Sequence, residues 1–88
     1  MILKLFCVYD NKASAYLPPF AAVNSLVALR MFGDSASDTN HMFNRHPLDY
    51  HLFELGEFDD MTGGVSSLMP VNLGNAGMFS DSIGKVAL

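Results

Sequence analysis

One cysteine, five basic residues and no apolar run of membrane-spanning length set the first limits on this 88-residue chain. A single thiol, Cys7, allows no internal disulfide, so a reducing compartment is its natural setting. No stretch approaches the roughly 18 apolar residues that a helix needs to cross a bilayer. The apolar start, Met1-Ile2-Leu3-Lys4-Leu5-Phe6-Cys7-Val8-Tyr9, is interrupted at Lys4 and closed by Asp10. It lacks the basic start, longer apolar stretch and cleavage site of a secretory signal. The protein is expected to stay where it is made, off the membrane.

Catalytic signatures are missing too. There is no Gly-x-Ser-x-Gly, no P-loop and no dinucleotide fingerprint. Cys7 lies within an apolar strand pattern, where a thiol is inert packing. Glu54 and Glu57, three apart on an extended segment, fall on opposite faces and cannot work as an acid–base pair. His41, His46 and His51 recur every five residues, a spacing that diverges on a helix and alternates on a strand, and Pro47 breaks the register. Surface or capping histidines are the expectation, with no metal. Asp59, Asp60 and Thr62 before Gly63-Gly64 lack the ligand pattern of a calcium loop and read as a solvated turn. No cofactor and no enzymatic role are expected.

What is present is a hydrophobic composition, 50% of residues, in a chain that makes one small domain. Such a domain buries about 60–65% of its unfolded surface and is marginal without reinforcement. With neither disulfide nor metal, a homo-oligomer is the expected aid. The charge is uneven. Residues 1–45 carry four cations against three acids, a net of +1, whereas residues 46–88 carry Lys85 against six acids, a net of −5. Contact with a nucleic acid must therefore come from the first half or from Lys85.

Along the chain, residues 2–9 are apolar on both alternating faces and read as a central strand. Residues 10–12 form a turn, and Pro18-Pro19 keeps residues 13–20 irregular or extended. Asn24 is a good N-cap and Gly33 sits where a C′ glycine belongs, predicting a helix over 25–32. That helix is apolar nearly all round, which implies burial on more than one side and a partner subunit over part of it. Asp38 or Thr39 can cap a short helix through Met42 and Phe43, ending before Pro47. Residues 50–58 and 65–69 then form a hairpin around the acidic turn Asp59-Asp60-Met61-Thr62-Gly63-Gly64. The tail after Pro70 packs as a short element or wraps a neighbour. The order β-α-β-β, with one or two short helices on one face of a small antiparallel or mixed sheet, gives an α+β fold.

The residues suited to nucleic acid are Lys4, Lys12, Tyr16, Phe20, Arg30, Arg45, His46 and Tyr50. Aromatics interleaved with cations suit single strands, because every base offers a face to stack on. Against this, Tyr16 and Phe20 flank the Pro-Pro corner and also suit capping of the core. Five basic residues neutralise few phosphates, so a monomer binds weakly and loses affinity in salt; an oligomer that aligns several copies does better. Residues alone leave nucleic-acid binding and protein interaction both open.

Three segments are more specific: Asp10-Asn11-Lys12-Ala13-Ser14-Ala15-Tyr16-Leu17-Pro18-Pro19-Phe20, Ala28-Leu29-Arg30-Met31-Phe32-Gly33-Asp34, and His46-Pro47-Leu48-Asp49-Tyr50-His51-Leu52-Phe53-Glu54-Leu55-Gly56-Glu57-Phe58-Asp59-Asp60. Together they resemble the small nonstructural protein of the gokushovirus branch of the microviruses, bacteriophages with small single-stranded DNA genomes. The likeness covers roughly residues 1–70. It implies a DNA-binding protein of the infected bacterial cytoplasm that helps the switch from genome replication to single-strand synthesis and packaging. It supplies no catalytic motif and no defined DNA contact. An adaptor that meets the replication initiator or procapsid without binding DNA is the alternative. On either reading Glu57, Asp59 and Asp60 repel DNA and point to solvent or to a basic partner protein.

Overall fold

A computed structural model describes residues 1–79. The elements run β1 (Ile2–Asp10), β2 (Ala15–Tyr16), β3 (Phe20–Ala22), α1 (Ser25–Ser37), α2 (Met42–Arg45), β4 (Tyr50–Asp59), β5 (Val65–Asn75) and α3 (Ala76–Phe79). Every strand pairing is antiparallel. β1 and β4 lie at the centre and β5 flanks β4. β2 and β3 follow one another along the other edge of β1, separated by Leu17-Pro18-Pro19. The fold is a small α+β domain with short helices packed on one face of an antiparallel sheet.

Pleating sorts the strand residues. Phe6 and Val8 of β1, Ala22 of β3, and Tyr50 and Leu52 of β4 point to the helices. There they form one core with Ala28, Phe32 and Ala36 of α1, Phe43 of α2 and Ala76 of α3. Phe32 and Phe43 meet at 5.4 Å between ring centroids, and Phe43 and Tyr50 at 4.7 Å. This aromatic chain ties α1 and α2 to the start of β4. Cys7 is buried but belongs to the opposite face, outside that core.

Asn24 caps α1 as its residue type predicts, accepting a hydrogen bond from the Val27 N–H at 2.9 Å. The helix does not stop at residue 32, however. It runs through Gly33 to Ser37 and ends at Asp38, whose N–H donates to the Ser35 carbonyl. Gly33 serves close packing rather than termination: a Cβ there would stand 2.5 Å from the Phe79 carbonyl oxygen of α3. α1 is also less enclosed than its composition implies. Ala28, Phe32, Gly33 and Ala36 are buried, while Leu26 is 76% exposed and Val27 and Met31 also face outward. Nothing among the described residues covers that side.

α2 is capped by His41, not by Asp38 or Thr39. The His41 Nδ1 accepts from the Phe43 N–H at 3.1 Å while its ring packs on Phe43 at 4.3 Å. The Asn44 side chain donates to the Ala36 carbonyl at 2.8 Å and joins the two helices.

The hairpin is longer than its sequence pattern. β5 continues through Pro70 to Asn75, because an edge strand tolerates a residue with no N–H to donate. Residues 76–79 of the tail form α3; the remainder lies outside the described residues. Three register shifts bend these strands, one of them at Leu73, the extra residue of β5 between the pairs Phe53–Asn72 and Leu52–Gly74. Leu55 is an extra residue between the pairs Phe6–Glu54 and Leu5–Gly56, and Leu68, Met69 and Pro70 together lie opposite it. A Cβ at Gly56 would run into the Ser66 carbonyl, so glycine is what lets the strands approach here.

An acid-free sheet face with an aromatic cluster

The register decides which side of the sheet each charge occupies. Ile2 pairs with Asp59, Lys4 with Glu57, Phe6 with Glu54 and Asp10 with Tyr50. Facing residues in a ladder share a side, so Asp10, Glu54, Glu57 and Asp59 all lie on the helix side with Phe6. The bulge at Leu55 corrects the expectation for Glu54 and Glu57: three apart in sequence, they nonetheless share a face. Glu54 is held there by Lys4, whose Nζ lies 3.6 Å from Oε2, and by Ser25, whose hydroxyl donates to Oε1 at 3.3 Å. At the hairpin tip, Asp60 meets the Met1 amino group at 2.7 Å.

The other side of the sheet carries no strand carboxylate. Its rows are Leu3 with Phe58, Leu5 with Gly56, Cys7 with Phe53, and Tyr9 with His51. Tyr16 of β2 faces Tyr9, and Val65, Ser67, Asn72 and Asn75 of β5 extend the rows. Tyr9, Tyr16 and Phe53 form a ring cluster, with centroids 4.7 Å apart for Tyr9–Tyr16, 6.1 Å for Tyr9–Phe53 and 5.6 Å for Tyr16–Phe53. Tyr16 remains 52% exposed. Beside the cluster, the Asn72 side-chain nitrogen lies 3.4 Å from His51 Nδ1. The Cys7 thiol is only 1% exposed beneath this face, and burial pushes its pKa up.

The basic residues Lys12 and Arg45 both lie toward the end of the sheet where β4 starts, Lys12 in the turn after β1 and Arg45 on α2 in the helix layer. The turn after β1 is fixed by Asp10, whose Oδ1 accepts from the N–H groups of Lys12 and Ala13 at 3.0 and 3.2 Å. The Asn11 N–H donates to the Asp49 carbonyl at 2.8 Å, joining that turn to the segment before β4. Lys12 is therefore near the start of β4, as are the exposed Arg45 and His46 at the end of α2. Arg45 acts electrostatically on the Tyr50 hydroxyl.

The eight sequence-chosen residues separate on this geometry. Tyr16 and Lys12 are exposed at the aromatic end, while Arg45 and His46 are exposed at the end of α2, in the helix layer near the start of β4. Arg30 is exposed on α1, in the helix layer. Lys4 is on the helix side, engaged with Glu54. Phe20 is partly buried and stacks on Phe6 at 5.9 Å, so its ring serves the core. Tyr50 is 7% exposed, and its hydroxyl donates to Met42 Sδ at 3.2 Å; that ring is not free to stack on a base. Tyr9 and Phe53 complete the cluster and were not singled out from sequence. Tyr9 does lie on the odd-numbered face of β1, but only the pairing register places Phe53 beside it.

Two cavities lie elsewhere. One of about 180 Å³, lined by Val8, Phe20, Met31, Phe32, Ser35 and Phe43, opens between the helix layer and the sheet edge and contains no titratable side chain. The other, of about 250 Å³ at the hairpin tip, is lined by Glu57 and Asp59 together with Ile2, Thr62, Gly64, Val65 and Ser66. Its carboxylates repel anions. No group of three or more potential metal ligands converges among the described residues, and none of their helices is long and apolar enough to cross a membrane.

This geometry defines a small α+β protein whose distinctive surface is an open sheet face, apolar and aromatic, with its carboxylates turned to the other side. The chain belongs to the Phage ORF5 protein family, whose model matches residues 3–79, and is thus a phage protein. No curated protein and no solved structure matches it.

Proposed function

We propose that this phage protein is a non-enzymatic single-stranded DNA binder that stacks bases on Tyr9, Tyr16 and Phe53. Lys12, in the turn beside the cluster, provides a cation for the phosphates, and Arg45 and His46 at the end of α2 extend the contact around the start of β4. The observation that carries this reading is the separation of charge across the sheet. An aromatic cluster on an acid-free face can meet a polyanion that the chain's net charge of −4 would otherwise repel. Stacking contributes about 1–3 kcal/mol per base and is indifferent to sequence. The resemblance of residues 1–70 to gokushovirus nonstructural proteins supports the same assignment. In that setting the protein acts in the cytoplasm of the infected bacterium, where it helps turn genome replication toward single-strand synthesis and packaging.

A second reading has its own observation. Leu26, Val27 and Met31 leave an apolar stripe on the outer side of α1, which suits an adaptor that docks on the replication initiator or procapsid without holding DNA.

Titrating a fluorescently labelled oligothymidylate with the full chain at low and moderate salt separates the two. The DNA reading expects binding that weakens as salt rises, and a large loss of affinity in the Lys12→Glu, Arg45→Glu double variant. Binding that is equally weak in wild type and double variant would overturn it.

A further inference from the structure

We propose that the free edge of β5 is a self-association surface, through which two copies of this chain pair as antiparallel strands about a twofold axis at Ser66 or Ser67. β5 ends the sheet, and among the described residues no strand lies on its outer side. Long edge strands are usually blunted by charge, proline, bulges or short length, since their unpaired backbone groups recruit other strands. At eleven residues β5 is the longest strand here, and Val65–Asn75 holds no charged residue. Its protections are Pro70, the bulge at Leu68–Met69–Pro70 opposite Leu55 and a further bulge at Leu73. They spoil the ladder beyond residue 68 but leave residues 65–67 regular. Pairing is thereby confined to the tip half of the strand.

Three features favour a second copy as the occupant. A twofold interface sets a patch against itself, so an uncharged strand meets its equal with no like-charge term. Exposed apolar side chains crowd the same place: Val65 at 65%, Leu68 at 51% and Met69 at 85%. The opposite sheet edge is also unsuitable for head-to-tail growth. β2 has two residues and β3 three, and Pro18-Pro19 between them supplies no N–H. Pairing β5 to β5 therefore closes a dimer instead of extending a filament. Facing residues in an antiparallel ladder share a side, so the axis passes through a residue rather than between two.

That axis is perpendicular to the sheet, so both outer faces lie on the same side of the dimer. The pairing stands independently of the nucleic-acid reading; where both hold, two aromatic clusters share one continuous surface.

Light scattering coupled to size-exclusion chromatography of the full chain tests this. Wild type is expected at twice the chain mass. Ser67→Lys, exposed on the outer face, is expected at the chain mass with unchanged far-ultraviolet circular dichroism. Leu26→Lys on α1 is expected to leave the dimer intact. Oxidation should cross-link either Ser66→Cys or Ser67→Cys into a covalent dimer, with wild type as a control because Cys7 is buried. A monomeric wild type would overturn the proposal. So would a dimer that survives Ser67→Lys but is lost in Leu26→Lys, or the failure of both cysteine variants to cross-link.

Discussion

The rings of Tyr16 and Phe53 meet edge to face at 5.6 Å, although β1 lies between their strands. Tyr16 crosses over β1 while staying half exposed, so it is the ring a base reaches at least structural cost. Tyr16→Ala is expected to weaken oligothymidylate binding by about 5- to 150-fold, the equivalent of roughly 1–3 kcal/mol, with little change in melting temperature. Tyr50→Phe should do the reverse, leaving affinity unchanged while removing the hydroxyl contact to Met42. Titrations and melts on both variants check the pair. An equal loss of affinity in both would mean that the cluster acts only through stability.

Gly33→Ala opposes two effects. Replacing glycine within a helix normally stabilises by up to about 1 kcal/mol. Here the new methyl would sit 2.5 Å from the Phe79 carbonyl oxygen, a backbone atom that cannot swing aside. Overpacking of this kind costs about 1–3 kcal/mol, so the clash wins. The variant should melt several degrees lower, on the scale of about 4–8 °C per kcal/mol for a domain this size. A higher melting temperature would show that α3 does not hold its place against α1.

Alkaline pH should destabilise the fold in two separable steps. Burial raises the Cys7 pKa above its ordinary 9.0. Burial, followed by Asp10 and Asp49, raises Tyr50 above 10.0, with Arg45 opposing. Both groups are raised, so each contributes stability that is fully present below its unfolded value and lost as pH climbs through its folded value. Stability should be indifferent to these groups at neutral pH and fall from about pH 9 upward. Cys7→Ala should flatten the first part of the fall and Tyr50→Phe the second, as followed by urea midpoints at stepped pH. Cys7 should also resist thiol reagents at neutral pH until the chain unfolds, being buried and un-ionised.

The legible part of this fold is the part specified by local chemistry. Alternating apolar residues marked β1, Asn24 marked the start of α1, and the glycine-rich acidic turn marked the hairpin. Gly33 misled because close approach and helix termination call for the same residue, and only the position of α3 tells them apart. A capping histidine was among the expectations, but the cap of α2 itself was assigned to Asp38 or Thr39, because imidazole is an uncommon acceptor at that position. The bulge at Leu55 has no local signature, yet it decides which carboxylates face the helices. For the same reason the candidate site was half legible. Tyr16 and Lys12 could be chosen by type, but Phe20 and Tyr50 were claimed by the core, and Phe53 joins the cluster only through long-range pairing.

Lys4 and Lys12 are told apart by one measurement. Both are first-half lysines of equal charge, and sequence ranks them alike. The fold puts Lys4 on the helix side, 3.6 Å from Glu54, and Lys12 in the exposed turn beside the aromatic end. For single strands the slope of log affinity against log salt changes by about 0.7 for each phosphate contact. Lys12→Gln should therefore shallow that slope by about 0.7, whereas Lys4→Gln should leave both slope and affinity as they are. Lys4→Gln should also cost little stability, under about 1 kcal/mol, because a half-exposed ion pair is screened and entropically expensive to hold. Salt titrations of the two variants decide the matter. A shallower slope in Lys4→Gln would place the DNA on the carboxylate side of the sheet and overturn the assignment of faces.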